Sequence, residues 1–178
     1  MKNIINIIFV LLVVVGCVMP KGTMHEEWDP FSQTHEKTVF LGHVKSNLDT
    51  TGLLSTDSKV TSTFSRQERE GKKEYFFKFN VCLEGPEGSS FPIKKGCKVF
   101  FVAGSEKNEF EVGMVVKKKV PGAWNPLFVS QFKIGPLPES VLTAIREEQK
   151  IDFKMYGTEK DVVGEIGLEE IREAKKLF

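Results

Sequence analysis

The chain has 178 residues, with 25 Lys and Arg against 24 Asp and Glu and a formal charge of +1. So even a balance gives no basic field for holding nucleic acid, and none is expected as a partner. The length suits one domain with a real core, and fifteen Phe among many Val and Ile favour strands.

Residues 1–17 have the three parts of a secretory signal. Lys2 is the positive start, and Ile4 to Val15 is apolar except for Asn6. At about 1.5 Å per helical residue this run covers roughly 18 Å, against about 30 Å for the hydrocarbon core of a bilayer, so a cleaved leader is the better reading than a membrane span. The run closes on Val14-Val15-Gly16-Cys17. This tetrad resembles the lipobox of bacterial lipoproteins, with a branched apolar residue, a permissive one, a small residue before the cut and a cysteine after it. The resemblance covers the leader and these four positions only. It implies cleavage after Gly16 and a diacylglyceryl group on Cys17. Val18 in place of Asp after the cysteine implies sorting to the outer membrane if the cell has two membranes. The alternative is an ordinary signal peptide and a soluble secreted or periplasmic protein. With residues 1–16 removed, Lys2 goes and the charges balance at 24 of each sign.

An odd cysteine count in an exported protein asks for an explanation. If Cys17 carries lipid, Cys82 and Cys97 are left to pair. An export compartment allows a disulfide, which would contribute about 3 kcal/mol in the chain-entropy model. The alternative is two buried thiols. No His or second Cys stands at zinc-ligand spacing from either, so no metal or other cofactor is expected.

Residues 18–36 have no period, and Pro20, Gly22 and Pro30 break structure. The segment 17–36 reads as a lipidated, flexible tether, with Trp28 and Phe31 able to dock on a domain spanning 37–178. Strands follow. They are expected at Thr38 to Lys45, Lys59 to Arg66, Glu74 to Leu83, Cys97 to Ala103, Glu109 to Lys118 and Leu127 to Ile134. The clearest is Glu74 to Leu83, where Tyr75, Phe77, Phe79, Val81 and Leu83 share one face and Phe76, Lys78, Asn80 and Cys82 the other. Gly and Pro turns separate the strands, and the cysteines fall at the ends of two successive ones, where a disulfide would tie the base of a long hairpin and pin its register. Past Pro138 the pattern changes. A helix is expected over Glu139 to Gln149, a hairpin from Ile151 to Tyr156 and Val162 to Ile166, and a second helix over Leu168 to Lys176 with Leu168 and Ile171 inward. The fold class is mainly β, an antiparallel sandwich or barrel-like domain with two short C-terminal helices that cover an open end or edge.

Chemistry-bearing motifs are sparse. His25-Glu26-Glu27 and His35-Glu36 read as solvated polar residues rather than metal ligands, since a metal needs three or four groups converging from rigid elements. No G-x-S-x-G elbow occurs. Of the histidines only His43 is placed to serve as a base for a serine. Glu147-Glu148 and Glu169-Glu170 read as exposed helix charges. The best surface candidate is Lys117-Lys118-Lys119 with Trp124 in the Pro/Gly loop beyond it. The loop over 84–96, with Phe91 and Lys94-Lys95, is the second. The expectation is a lipid-anchored envelope protein acting as a non-catalytic binding or structural module. Its partners would be the membrane through the lipid, and another envelope protein or a glycan through its loops. The runner-up is a small exported hydrolase with a spatially assembled site.

Overall fold

The computed structural model describes residues 19–29, 34–49, 58–122 and 125–178. They form ten strands and two helices in chain order: β1 Met24–Asp29, β2 Thr34–Ser46, β3 Lys59–Arg69, β4 Lys72–Glu84, β5 Lys98–Ala103, β6 Glu106–Glu111, β7 Val115–Val120, β8 Leu127–Ile134, helix α1 Glu139–Arg146, β9 Ile151–Met155, β10 Val162–Ile166 and helix α2 Leu168–Lys175. All pairings are antiparallel. The strands make one sheet in the order β6-β5-β9-β10-β2-β3-β4-β8-β7, with β1 added beside β2. The two edge strands are consecutive in the chain, joined through Val112, Gly113 and Met114, so the sheet curls into a half-barrel. The expected class, mainly β with two short C-terminal helices, is the one observed.

The inner face of the curl is the core. Phe77 and Phe79 of β4 meet Phe101 of β5 at ring-centroid distances of 5.6 and 6.1 Å, and Phe79 meets Phe153 of β9 at 5.6 Å. Rings from the two wings of the sheet thus close on one another, as period-two alternation requires once one face is apolar. Helix α1 packs on β5 and α2 on β2 and α1. They add Val141, Leu142, Ala144, Ile145, Ile171 and Ala174 to the same cluster. Leu168, expected inward, is half-exposed, and Ile171 and Ala174 take the buried side of α2.

Four expectations are corrected. The period-free stretch before residue 37 contains β1 and the start of β2, paired from Met24↔Val39 to Asp29↔Thr34, so the folded unit begins ahead of that boundary. Its sequence hid this because short polar strands on a sheet edge have no hydrophobic period to show. The strand expected over Glu109 to Lys118 is two strands at opposite edges. Val112, fully buried, is held to the start of β5 by its N–H on Cys97 O at 2.9 Å and its O under Gly96 N–H at 2.8 Å. The chain then leaves for the other edge. Third, β4 and β5, successive in the chain, are not neighbours; β9, β10, β2 and β3 lie between them.

Fourth, no disulfide joins Cys82 and Cys97, both of which are buried thiols. Cys97 points into the core beside Val99 and Phe101, whereas Cys82 shares the outer face of β4 with Lys78 and Asn80. The sheet backbone stands between two side chains on opposite faces, and a disulfide needs their Cβ atoms about 3.8 Å apart.

The two wings are sewn together by a short seam. Strand β10 pairs with β2 through Gly164↔Ser46 and Glu165↔Lys45, and Asn47 just past β2 extends the seam by donating its N–H to Val163 O at 2.8 Å. A Cβ on Gly164 would lie 2.3 Å from Lys45 O and 2.5 Å from the Phe153 ring. Only glycine lets the backbones approach this closely. Replacing Gly164 with Val is expected to lower stability by about 1–3 kcal/mol through overpacking, read as a fall in the urea midpoint at unchanged m-value. An unchanged midpoint would show that the seam does not constrain the fold.

Candidate functional site

The curl sends every second side chain of β1, β2, β3, β4 and β8 to the outside, and the register aligns them in rows. Gln131 stands opposite Asn80, and Asn80 opposite Thr61. Lys133 stands opposite Lys78, Lys78 opposite Thr63, and Thr63 opposite Phe40. On the far side His25 pairs with Thr38 and Glu27 with Glu36. All of these but Thr61 and Lys133 line a shallow depression of about 180 Å³, together with Met19 and Thr23. Short polar side chains on the middle strands, with longer amines and carboxylates around them, make the dish.

Its charged centre is Glu36 with Lys78, and Lys133 stands beside them just outside the lining. Lys78 Nζ lies 2.7 Å from Glu36 Oε1, and Lys133 Nζ lies 3.8 Å from the same oxygen. Burial works against the charge on Glu36. The ammonium of Lys78, with Lys133 and the Ser65 hydroxyl beside it, outweighs burial and holds the carboxyl below its usual range. Lys133 is the opposite case. It sits 3.7 Å above the centre of the Phe76 ring, and burial pulls its amine down to about 8, with Lys78 pushing the same way and Glu36 and Glu74 resisting. The face therefore offers amine and amide donors from Lys78, Lys133, Asn80 and Gln131, and acceptors from Glu36, the amides and Thr63. That inventory suits a polar ligand lying flat on a sheet.

The residues singled out in the sequence are distributed as follows. His25 and Glu27 belong to the dish, 3.9 Å apart, and His35 turns away to meet Trp28 in a tilted ring contact at 4.8 Å. Among the described residues no three His, Cys, Asp or Glu side chains gather at ligand spacing. His43 Nε2 lies 2.7 Å from Asp49 Oδ1, and the Ser46 N–H and hydroxyl also point at Asp49, at 2.8 and 3.4 Å. The aspartate stands between serine and histidine, so the three groups lack the nucleophile–base contact of a triad and instead fasten the turn after β2.

The three lysines part company. Lys117 lies 5.5 Å from the Phe91 ring and Lys119 pairs with Glu87, whereas Lys118, opposite Val129, belongs to the outer face. The two candidate loops thus meet each other, helped by Gly85 N–H on Pro126 O and Asn125 N–H on Glu84 Oε1. The 84–96 loop is pinned from below. Ile93 is fully buried, its N–H donates to Ser130 Oγ at 3.1 Å, and that hydroxyl donates to Ile93 O at 2.9 Å. Trp124 and Cys17 lie outside the described residues.

Lys78, Lys133, Asn80, Gln131 and Thr63 were not singled out in the sequence. The signal was the polar side of two alternating strands, but only the strand order makes them neighbours. No protein-family model matches the chain, and no curated protein or solved structure matches it either.

The desolvated amine gives a pH signature. Between about pH 8 and the ordinary lysine value of 10.5 the unfolded chain holds a proton that folded Lys133 has released, so its contribution to stability rises with pH across that window. The variant Lys133→Met is expected to lose that rise, seen as a smaller gain in urea midpoint from pH 7.5 to 9.5 than in the parent. Superimposable profiles would show that the amine is fully hydrated.

Proposed function

We propose that the chain is a lipid-anchored protein of the bacterial cell envelope, carried to the membrane by acylated Cys17, and that its β domain is a non-catalytic binding module. The observation that carries the binding part is the polar depression on the outer sheet face around Glu36, Lys78, Asn80 and Gln131. Lys133, partly stripped of water there, is stabilised by any occupant that supplies an acceptor. The anchoring part rests on Val14-Val15-Gly16-Cys17 behind its apolar run. No helix among the described residues is long and apolar enough to cross a membrane. The lipid on Cys17 is thus the proposed means of attachment, with the outer membrane as destination in a cell that has two. The occupant of the face is another envelope component: the membrane surface, a protein or a glycan.

The Cys17→Ser variant is expected to lose metabolic labelling with palmitate and to move from the membrane fraction to the soluble fraction. Unchanged fractionation would overturn the anchor.

A further inference from the structure

The described residues are bonded to the body of the domain from Pro20 on, three residues past Cys17. A turn closes at Pro20, whose carbonyl accepts the Thr23 N–H at 3.1 Å and the Thr23 hydroxyl at 2.7 Å. Gly22 N–H then donates to Phe40 O at 2.8 Å, and Phe40 N–H donates to Thr23 O at 2.9 Å. Lys21 Nζ reaches Glu169 of α2 at 2.8 Å and also pairs with Glu170. Met19 itself lines the depression on the outer face, beside Thr38, Phe40 and Thr63. Between Cys17 and Met19 only Val18 intervenes, and two residues span at most about 7 Å.

We infer that the open polar face of β2, β3, β4 and β8 lies against the bilayer that holds the protein's own anchor, so that the occupant of the face is the headgroup layer. The inference rests on the lipidation of Cys17 proposed above, and it names the partner of that same face. With a reach of about 7 Å and the segment 19–23 bonded to β2 and α2, the domain cannot swing out on a tether. The depression opens at the height of the headgroups. Its chemistry suits them. The amines of Lys78, Lys133 and Lys118 meet phosphate, and the carboxylate of Glu36 beside them fits a zwitterionic headgroup. At the β7 margin, Val116, opposite Gln131, is 41 % exposed, and Met114, just ahead of that strand, is 77 % exposed. Apolar side chains among long cationic ones are the composition that settles at a membrane surface. The outer face of the other wing, with Val102 opposite Asp152 and Lys107, is turned away across the core.

The test uses the full lipidated protein, purified from membranes and reconstituted in phosphatidylethanolamine–phosphatidylglycerol vesicles. These carry a lipid with a short-range nitroxide quencher on its headgroup. A fluorophore is attached to Gln131→Cys in one preparation and to Val102→Cys in another. Quenching at 131 is expected to exceed that at 102 at least threefold. Insertion of ten Gly and Ser residues after Val18 is expected to erase the contrast while the protein still floats with the vesicles. Flotation with equal quenching at both positions, or stronger quenching at 102, would overturn the orientation and leave the anchor standing. Failure of the parent protein to float would overturn the anchor and this inference together.

Discussion

Glu111 and Val115 are four residues apart in the chain and stand at opposite ends of a nine-strand path. Strands laid flat at about 4.8 Å would place the two edges roughly 38 Å apart. Four residues reach about 14 Å. The sheet has to curl until its edges nearly meet, and the rest of the architecture follows from that closure. The face on the inside must be apolar and large, which the rings of Phe77, Phe79, Phe101 and Phe153 supply. The open end of the curl must be covered, which Ile145 of α1 and Ile171 of α2 do from above the core. The face on the outside keeps the polar rows of β2, β3, β4 and β8, with Phe40, Phe76 and Cys82 buried among them.

Strand β2 is where the two wings are joined. Its first half pairs with β1 and its second half with β10, and the change falls at an irregularity between Phe40 and Gly42, where Leu41 is the extra residue. Gly42 there has φ +86°, a conformation that side chains avoid. The bulge keeps His43 outward and Val44 inward on the far side of the switch. It also ends the pairing of β1 at Val39, so the chain ahead of β1 can reach over and bond to Phe40. The same irregularity that lets the C-terminal hairpin enter the middle of the sheet seats the N-terminal segment on the outer face.

Alternation made most of the fold legible. The faces of Glu74 to Leu83 are those seen in the sequence, as are the strand over Leu127 to Ile134 and the hairpin and helices at the C-terminus. Periodicity describes each strand separately, however, and says nothing about which strand lies beside it. The disulfide failed on that point. Cys82 was already visible on the polar side of its strand, but Cys97 had no assigned side until the two wings were set face to face. The site failed on it too, since Lys78 meets Glu36 across β3 and meets Lys133 across β8. The split at Val112 was hidden because Phe110, Val112, Met114 and Val116 keep a period of two straight through the crossing from one edge to the other.

Electrostatics separates the two lysines at the centre of the open face. Among the described residues Lys78 is the closest cation to Glu36, and the lowered carboxyl value fits a pair that is favourable despite its burial. Lys133 is held over Phe76 at 3.7 Å and lies more than an ångström farther from the carboxylate than Lys78 does. Its depressed value means that the folded protein is destabilised by keeping this amine charged where it is. A sheet face with a purely structural role would be better served by a Thr or Val opposite Lys78, since polar groups that cost stability are best explained at sites that serve something other than folding. A phosphate or carboxylate laid on the face would give Lys133 a closer acceptor than any among the described residues, and would raise its value back toward that of an ordinary lysine. The amine is therefore a direct reporter of occupancy of this face.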